Sequence, residues 1–207
     1  MNRENAWNLL TEYTKTDSLI KHALAVSAAM REYAKWFHQD ENYWEIVGLL
    51  HDFDYEKYPD AENHPYRGNE ILEKEGYPKE MRDAIMGHAA YTGVKRETLL
   101  AKTLFAVDEL AGFVIAVALV RPSKNILEVE PSSVRKKLKT PAFAAKVNRE
   151  EIRQGIAELG VDETEHIQHV IDALKSIAPE LGLAGQQSLV TVGNSHDSTP
   201  GAASDGK

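Results

Sequence analysis

The sequence predicts an all-α protein in which amphipathic helices surround one hydrophobic core. Almost every segment places apolar residues three or four positions apart, and no stretch alternates strongly between apolar and polar residues as a strand would. The chain has 207 residues, of which 43% are hydrophobic and 27% charged, and this suits a single soluble domain with a sizeable core.

Eight helices follow from this spacing. The first is the short amphipathic stretch "NAWNLLTEYTK", and the second begins at a cap formed by Asp17 or Ser18 and runs to about Phe37. Proline at 78 suits an early helical position, and Arg121-Pro122 ends the longest helix. The other predicted helices cover about residues 42–51, 65–74, 78–88, 96–120, 149–159 and 163–177.

Composition excludes several kinds of protein. The chain has no cysteine, which removes disulfides and thiolate metal sites, and its net charge of −8 argues against generic nucleic-acid binding over the whole surface. The N-terminus lacks the apolar run of a signal peptide. The most apolar segment contains Asp108 and Glu109, so we interpret it as a buried helix and expect a cytoplasmic protein without a membrane partner. Nothing in the sequence specifies an oligomeric state.

Two segments differ from the rest in composition. Residues 121–149 contain eight basic residues and two acids, a net charge of +6 that leaves −14 on the remainder of the chain. Residues 184–207 are rich in Gly, Ser, Ala and Thr, and we expect a disordered tail there. We therefore expect one domain over residues 1–183, with its core at about 15–120 and C-terminal helices in 121–183.

Two residues on predicted helices could serve a metal, since imidazole is the commonest metal ligand and carboxylates complete such sites. His22 lies on or beside the buried face of its helix, where a lone histidine is more often a hydrogen-bonded core residue. Asp108 lies among apolar residues, and burying an unpaired carboxylate costs several kcal/mol, so a metal or cation must neutralise it unless that face is open to solvent. Glu109 has similar neighbours, and periodicity does not choose between the two.

An adjacent His51-Asp52 pair closes the third predicted helix. Neighbouring residues on a helix point about 100° apart, so both can reach one ion only near a helix end. The turn-forming residues from Asp54 onward provide that end.

The order His22, His51-Asp52, Asp108 resembles the H…HD…D signature of the HD-domain superfamily of metal-dependent phosphohydrolases. The surrounding segments "SLIKHALAVSAAMREYA", "VGLLHDFDYEKYP" and "LFAVDEL" extend the match over about residues 15–120. The resemblance implies an HD-domain helical bundle with a metal site between helices.

Two more histidines match the two-metal subset of that superfamily. "NHPYRGNEIL", with His64, and "AIMGHAAY", with His88, resemble segments of the cyclic-dinucleotide phosphodiesterases of the HD-GYP type. The resemblance implies a second ion held by His64 and His88, with Asp52 as the bridge; the alternatives are a loop histidine and a helix-end histidine favoured by the dipole. The HD-GYP class has a lysine after the pair and a later His-His doublet, which this chain lacks, so we do not assign it to that class. The implied metal ligands are His22, His51, Asp52, His64, His88 and Asp108.

The residues after the pair supply further candidates. Single-metal HD nucleotidases often have a glutamate three places after the pair, where this chain has Tyr55, with Glu56 one place later. Asp54 or Glu56 could act as a proton donor or as a base beyond the metal ligands, and the alternative is a solvated acidic turn. With Asp52, these two form the set of catalytic candidates.

These expectations combine into a phosphohydrolase hypothesis. A divalent ion lowers the pKa of its water from about 16 to about 7, so metal-bound hydroxide would attack the phosphorus of a small anionic substrate, a nucleotide being one candidate. Manganese, iron, cobalt, nickel or zinc suits the ligands, magnesium is allowed, and one or two ions would bind. The substrate-binding candidates are Arg67, Lys102, Arg135 and Lys136, the last two in a basic segment that could instead be an exposed, solvated loop.

Two other functions fit the same residues. The ligand set also resembles that of the mixed-valent di-iron oxygenases of the superfamily, and a degenerate HD domain could sense a nucleotide without turnover. The remaining histidines are expected to be structural or exposed: His166 and His169 on a polar outer helix face, His38 at the surface and His196 in the tail.

Overall fold

Ten α-helices make up the part of the chain that the computed structural model describes, residues 2–185. Within it, β pairing is limited to one isolated bridge between Asn125 and Ala184, so the all-α prediction is confirmed. The helices are α1 (Arg3–Tyr13), α2 (Asp17–Trp36), α3 (Glu41–Leu50), α4 (Tyr66–Lys74), α5 (Lys79–His88), α6 (Leu99–Leu119), α7 (Pro131–Leu138), α8 (Arg149–Leu159), α9 (Glu163–Ser176) and α10 (Ala178–Leu181).

Polar side chains at the helix starts explain several of these boundaries. Asn2, Asp40, Thr98, Asn148 and Asp162 each accept a hydrogen bond from a backbone N–H in the first turn of the helix that follows. These bonds satisfy N–H groups that have no partner inside the helix.

Helix α2 begins differently from the prediction. Neither Asp17 nor Ser18 is its cap; the cap residue is Thr16, whose side chain makes no capping bond. The carboxylate of Glu56 instead accepts from the backbone N–H groups of Lys15 and Thr16, at 2.7 and 3.0 Å. An acid 40 residues away therefore fixes the start of α2.

Helix α6 is the centre of the bundle. Thirteen of its 21 residues are buried, and it packs against α2, α5, α8 and α9. Helix α2 packs in turn against α3 and α9. This arrangement places the middle of α2, the end of α3, the end of α5 and the middle of α6 around one point.

The basic segment 121–149 is folded, and it contains a helix that the periodicity did not predict. Helix α7 begins at a proline, which suits the first helical position, and packs against α6 and α9 through the buried Val134. Arg149 donates to the carbonyl oxygens of the preceding turn, including those of Leu138 and Val147.

The predicted tail falls mostly outside the described residues, which end at Gly185. The carbonyl oxygen of Leu183 accepts from the backbone N–H of Ile126, and Ala184 forms the bridge to Asn125. Residues 186–207, and with them His196, lie beyond the described part of the chain.

Close helix contact at Gly48 gives a stability prediction. A Cβ atom at Gly48 of α3 would lie 2.8 Å from the Cα of Ser27 and 2.8 Å from the carbonyl oxygen of Val26, both backbone atoms of α2. We expect Gly48→Ala to force the helices apart and to lower the free energy of unfolding by about 1–3 kcal/mol, measured by urea denaturation.

The same exchange at Gly112 is the matched control. The nearest atom to a Cβ there is Nδ1 of His22 at 3.7 Å, an ordinary contact. Gly112→Ala should raise the free energy of unfolding by about 0.5–1 kcal/mol, because alanine has the higher helix propensity. Equal stability of the two variants would contradict the close-packing interpretation.

Candidate metal centre

The six side chains expected as metal ligands converge in the structure. Two come from the middle of α2 and α6, one follows α3 directly, one ends α5, and two belong to the turns between α3 and α4. They form two groups, each with its ligand atoms within 4.8 Å of one another: His22, His51 and Asp108, and Asp52, His64 and His88.

The first group lies between α2, α3 and α6. Nε2 of His22 lies 3.0 Å from Oδ1 of Asp108 and 3.2 Å from Nε2 of His51. Nε2 of His51 lies 3.4 Å from the same Asp108 oxygen, and the His51 side chain is fully buried. Three ligand atoms therefore face one small space.

The second group has the same character. Oδ1 of Asp52 lies 3.0 Å from Nε2 of His88 and 3.2 Å from Nε2 of His64. The two imidazole Nε2 atoms are 3.3 Å apart. His64 and His88 are both buried, whereas the Asp52 side chain remains 24% exposed.

Asp52 faces both groups at once. Its Oδ1 belongs to the second group, while its Oδ2 lies 3.5 Å from Nε2 of His51 and 3.9 Å from Nε2 of His22. A carboxylate in this position can serve two cations, one through each oxygen.

Hydrogen bonding fixes which nitrogen of three rings carries the proton. Nδ1 of His51 donates to the carbonyl oxygen of Gly48 at 2.7 Å, and Nδ1 of His88 donates to that of Ile85. Nδ1 of His64 donates to Oδ1 of Asp54 at 2.9 Å. In the neutral rings each Nε2 is therefore a bare acceptor pointing into the site.

Facing acceptors require a positive charge between them. Nε2 of His64 and Nε2 of His88 carry no proton in their neutral forms, yet they lie 3.3 Å apart and both face Asp52. Such an arrangement is favourable when a cation fills the space, and histidines whose Nδ1 is held in this way are typical metal ligands. The residues present therefore fit a divalent metal ion.

The titration of these groups shows how strongly the site attracts positive charge. Burial opposes a charge on His51, but Asp52 and Asp108 outweigh it and raise the pKa of His51 well above its usual value. Burial likewise opposes the charge on His64, yet hydrogen bonds with Asp52 and Asp54 raise its pKa to about 9. Although burial favours its neutral form, His51 and the hydrogen-bonded rings lower the pKa of Asp52 well below normal.

Asp54 and Glu56, both expected as catalytic candidates, have different surroundings. Asp54 is buried; one oxygen accepts from His64 and the other from the backbone N–H of Gly68 at 2.8 Å. Within residues 2–185, Glu56 makes its hydrogen bonds with the start of α2, and those from the Thr16 and Lys15 N–H groups lower its pKa. Asp54 thus holds the His64 ring in place, and Glu56 holds the start of a helix.

The four substrate-binding candidates lie on separate elements. Arg67, in the first turn of α4, forms an exposed ion pair with Glu70, and Arg135 of α7 pairs with Glu163. Lys102 lines a surface cavity with Arg96, and Lys136 lines another beside α7. Across residues 2–185, no hydrogen bond or ion pair joins these four to the six histidines and carboxylates.

One histidine expectation is wrong. His166 does not lie on a polar outer face; it is fully buried, with Nε2 donating to the carbonyl oxygen of Ala106 at 2.9 Å and Nδ1 bonded to the Tyr33 hydroxyl. Burial lowers the pKa of His166 to about 4. Its neighbour His169 is partly buried and stacks on Trp36, whereas His38 is exposed as expected.

Sequence reasoning could not separate Asp108 from Glu109, and the structure does. Asp108 faces the two histidines, while Glu109 accepts from the backbone N–H of Asn148 at the start of α8. Burial and the nearby Asp108 raise the pKa of Glu109 to about 7. Burial and Asp108 also raise the pKa of Glu151, a residue that no sequence motif singled out.

A family model described as the HD domain matches residues 19–112. Residues 19–112 of the chain are an HD domain. The matched segment runs from α2 to α6 and includes all six converging side chains. The HD domain indicates metal-dependent, hydrolase-type chemistry.

Comparisons with curated proteins and with solved structures gave no significant match. Among the described helices of this HD-domain protein, none has both the length and the apolarity that a membrane crossing requires.

The support of His64 by Asp54 can be measured through metal binding. In Asp54→Asn, the amide could still accept from His64, but its NH2 group would face the Gly68 N–H, so two donors would meet. We expect affinity for one metal ion to fall by about 10- to 100-fold, measured by calorimetric titration with Mn²⁺. Glu56→Gln is the matched control, because it lies two residues away and should leave Mn²⁺ affinity as in the parent protein. Equal losses in both variants would contradict the supporting role.

The raised pKa of His64 gives a pH prediction for the metal-free protein. Between its ordinary value of 6.5 and about 9, His64 holds a proton in the folded chain that the unfolded chain has lost. This contribution to stability is complete below pH 6.5 and disappears as the pH rises through about 9. Urea midpoints of EDTA-treated protein should fall over that range, and the fall should be smaller in His64→Gln. The same slope in both proteins would show that His64 is not responsible.

Proposed function

We propose that this HD-domain protein hydrolyses a phosphate ester of a small anionic molecule with the help of two divalent metal ions. The position of Asp52 carries the proposal: each of its oxygens faces a separate group of imidazole nitrogens. Two-ion sites with a shared carboxylate suit in-line displacement at phosphorus, in which the attacking and the leaving oxygen both need stabilisation.

The protein residues hold and orient the reacting groups. When bound, divalent ions supply positive charge beside the phosphate and lower the pKa of water at the site. His51, His64 and His88 enter the reaction with their lone pairs already oriented, because their Nδ1 atoms are hydrogen-bonded. These three rings are buried and therefore shielded from solvent, and a low local dielectric constant strengthens the electrostatic interactions that they make.

Of the four cationic candidates, Arg67 follows His64 most closely along the chain, and we assign it to bind the substrate phosphate. It lies one turn after the His64 loop, its side chain is 52% exposed, and its partner Glu70 is equally exposed. An exposed ion pair contributes little free energy, so an incoming phosphate can replace Glu70 at small cost. Lys102, Arg135 and Lys136 remain candidates for attracting an anion over longer distances.

Metal dependence and turnover can be tested together. EDTA-treated protein, reloaded with Mn²⁺, Co²⁺ or Fe²⁺ under anaerobic conditions, should bind two ions per chain and hydrolyse some member of a panel of phosphate esters. Inorganic phosphate would be released from nucleoside monophosphates or sugar phosphates, and a linear dinucleotide from a cyclic dinucleotide. Asp52→Ala should lose both metal and activity, since Asp52 serves both groups. Glu62→Ala, an exposed acid in the same loop, is the control and should retain both.

Three outcomes would overturn the proposal in different ways. One bound ion per chain, together with activity that survives His64→Ala, would contradict the two-metal part of the proposal. Oxygen uptake with a phosphonate or a polyol, and no hydrolysis of any phosphate ester, would assign the site to oxygenase chemistry. Bound metal without turnover of any compound would indicate a sensor.

A further inference from the structure

Three exposed tyrosines surround the second half of the candidate site. Among residues 2–185, eight large apolar or aromatic side chains are exposed, and three of them are Tyr55, Tyr66 and Tyr91, which are 40%, 38% and 55% accessible. By contrast, Tyr33 is 1% accessible and bonded to a buried histidine. The three exposed rings therefore contribute little to the core, and their common position needs another explanation.

Two of the three tyrosines contact His64, and the third follows it closely in the chain. The Tyr55 ring meets the His64 ring edge-to-face, with centroids 5.3 Å apart. The Tyr91 hydroxyl donates to the backbone carbonyl of His64 at 2.8 Å. Tyr66 follows His64 by two residues and begins α4.

Tyr91 also interacts electrostatically with Tyr55 and Tyr66, so the three side chains share one part of the surface.

The three residues come from different elements. Tyr55 lies in the turns after α3, Tyr66 at the start of α4, and Tyr91 in the one-turn 3-10 helix Ala90–Thr92 after α5. No single helix periodicity brings them together; the fold places them around the His64 segment, and we call these three residues the aromatic rim.

We propose that Tyr55, Tyr66 and Tyr91 stack against a planar ring of the substrate, so that the preferred phosphate ester carries a nucleobase. This inference rests on the proposed function. Aromatic side chains bind bases through their faces, with an effect of about tenfold or more on affinity for each stacked ring. A phosphate held at Asp52 would leave the rest of the molecule to extend over the adjacent rim. A sugar phosphate or glycerol phosphate offers no flat face to these rings.

Paired substitutions of the tyrosines distinguish stacking by the ring from hydrogen bonding by the hydroxyl group. Tyr66→Leu and Tyr55→Leu keep an apolar side chain but lose the ring, whereas Tyr66→Phe and Tyr55→Phe keep the ring and lose only the hydroxyl. The probes are adenosine monophosphate and glycerol 3-phosphate, each with Mn²⁺-loaded protein of verified metal content. The ratio of kcat/KM for the two esters should fall about tenfold in each Leu variant and change less than about twofold in the Phe variants.

The experiment can contradict the proposed stacking on the aromatic rim and the proposed phosphate-ester hydrolysis independently of each other. An unchanged ratio in both Leu variants, or equal losses in Leu and Phe variants, would overturn stacking by these rings. If neither ester is hydrolysed, the proposed reaction fails, and the rim is tested by calorimetric titration with adenosine monophosphate. The dissociation constant should then rise about tenfold in Tyr66→Leu but not in Tyr66→Phe; equal constants would refute the rim as well.

Discussion

The candidate site depends on imidazole rings whose protons are already committed elsewhere. His51 and His88 donate to backbone carbonyls one turn back in their own helices, and His64 donates to Asp54. Each ring therefore presents a lone pair to a space that also contains carboxylate oxygens. This concentration of acceptors is unfavourable by itself and favourable around cations, which explains the raised histidine pKa values and the lowered pKa of Asp52.

Close helix packing brings these rings into range. Helix α3 lies so near α2 at Gly48 that a methyl group there would overlap the backbone of Ser27, and the same α3 turn supplies the carbonyl that holds His51. At Gly112 of α6 the His22 ring lies at an ordinary contact distance, so that position does not require glycine. The close approach at Gly48 therefore contributes to the distances of 3.0 to 3.4 Å between the side chains of the first group.

The sequence predicted those parts of the molecule that depend on local spacing. Helices α2 to α6 followed from periodicity, and the ligand set followed from a motif whose members each lie on or beside such a helix. Contacts between distant residues were not predictable in this way. The start of α2 depends on Glu56, and the burial of His166 depends on Tyr33 and on the carbonyl of Ala106. Helix α7 was missed because, of its 8 residues, Val134 is the buried one, which leaves too little apolar periodicity to indicate a helix.

The same limit applies to the acids beside the pair. Asp54 and Glu56 are two residues apart in one acidic turn, and nothing local distinguishes a proton donor from a structural carboxylate. Asp54 turns inward because it satisfies both His64 and the N–H of Gly68, while Glu56 turns toward two N–H groups at the start of α2. Both roles require the chain to return to the turn from elsewhere, after 14 residues for Gly68 and from 40 residues earlier for Thr16.

The charges around the site act on both groups of side chains, and this decides how an anion could be held there. Glu109 and Glu151 add acidic side chains near Asp108; burial first, and then the charge of Asp108, raises the pKa of both, while His88 of the second group acts on the pKa of Glu151 in the opposite direction. Two exposed tyrosines contact His64 of the second group, and Arg67 follows His64 by three residues in the chain. Cations at the two groups are therefore a condition for binding an anionic ester, and the proposed rim and Arg67 would hold the parts of the ester that those cations do not reach.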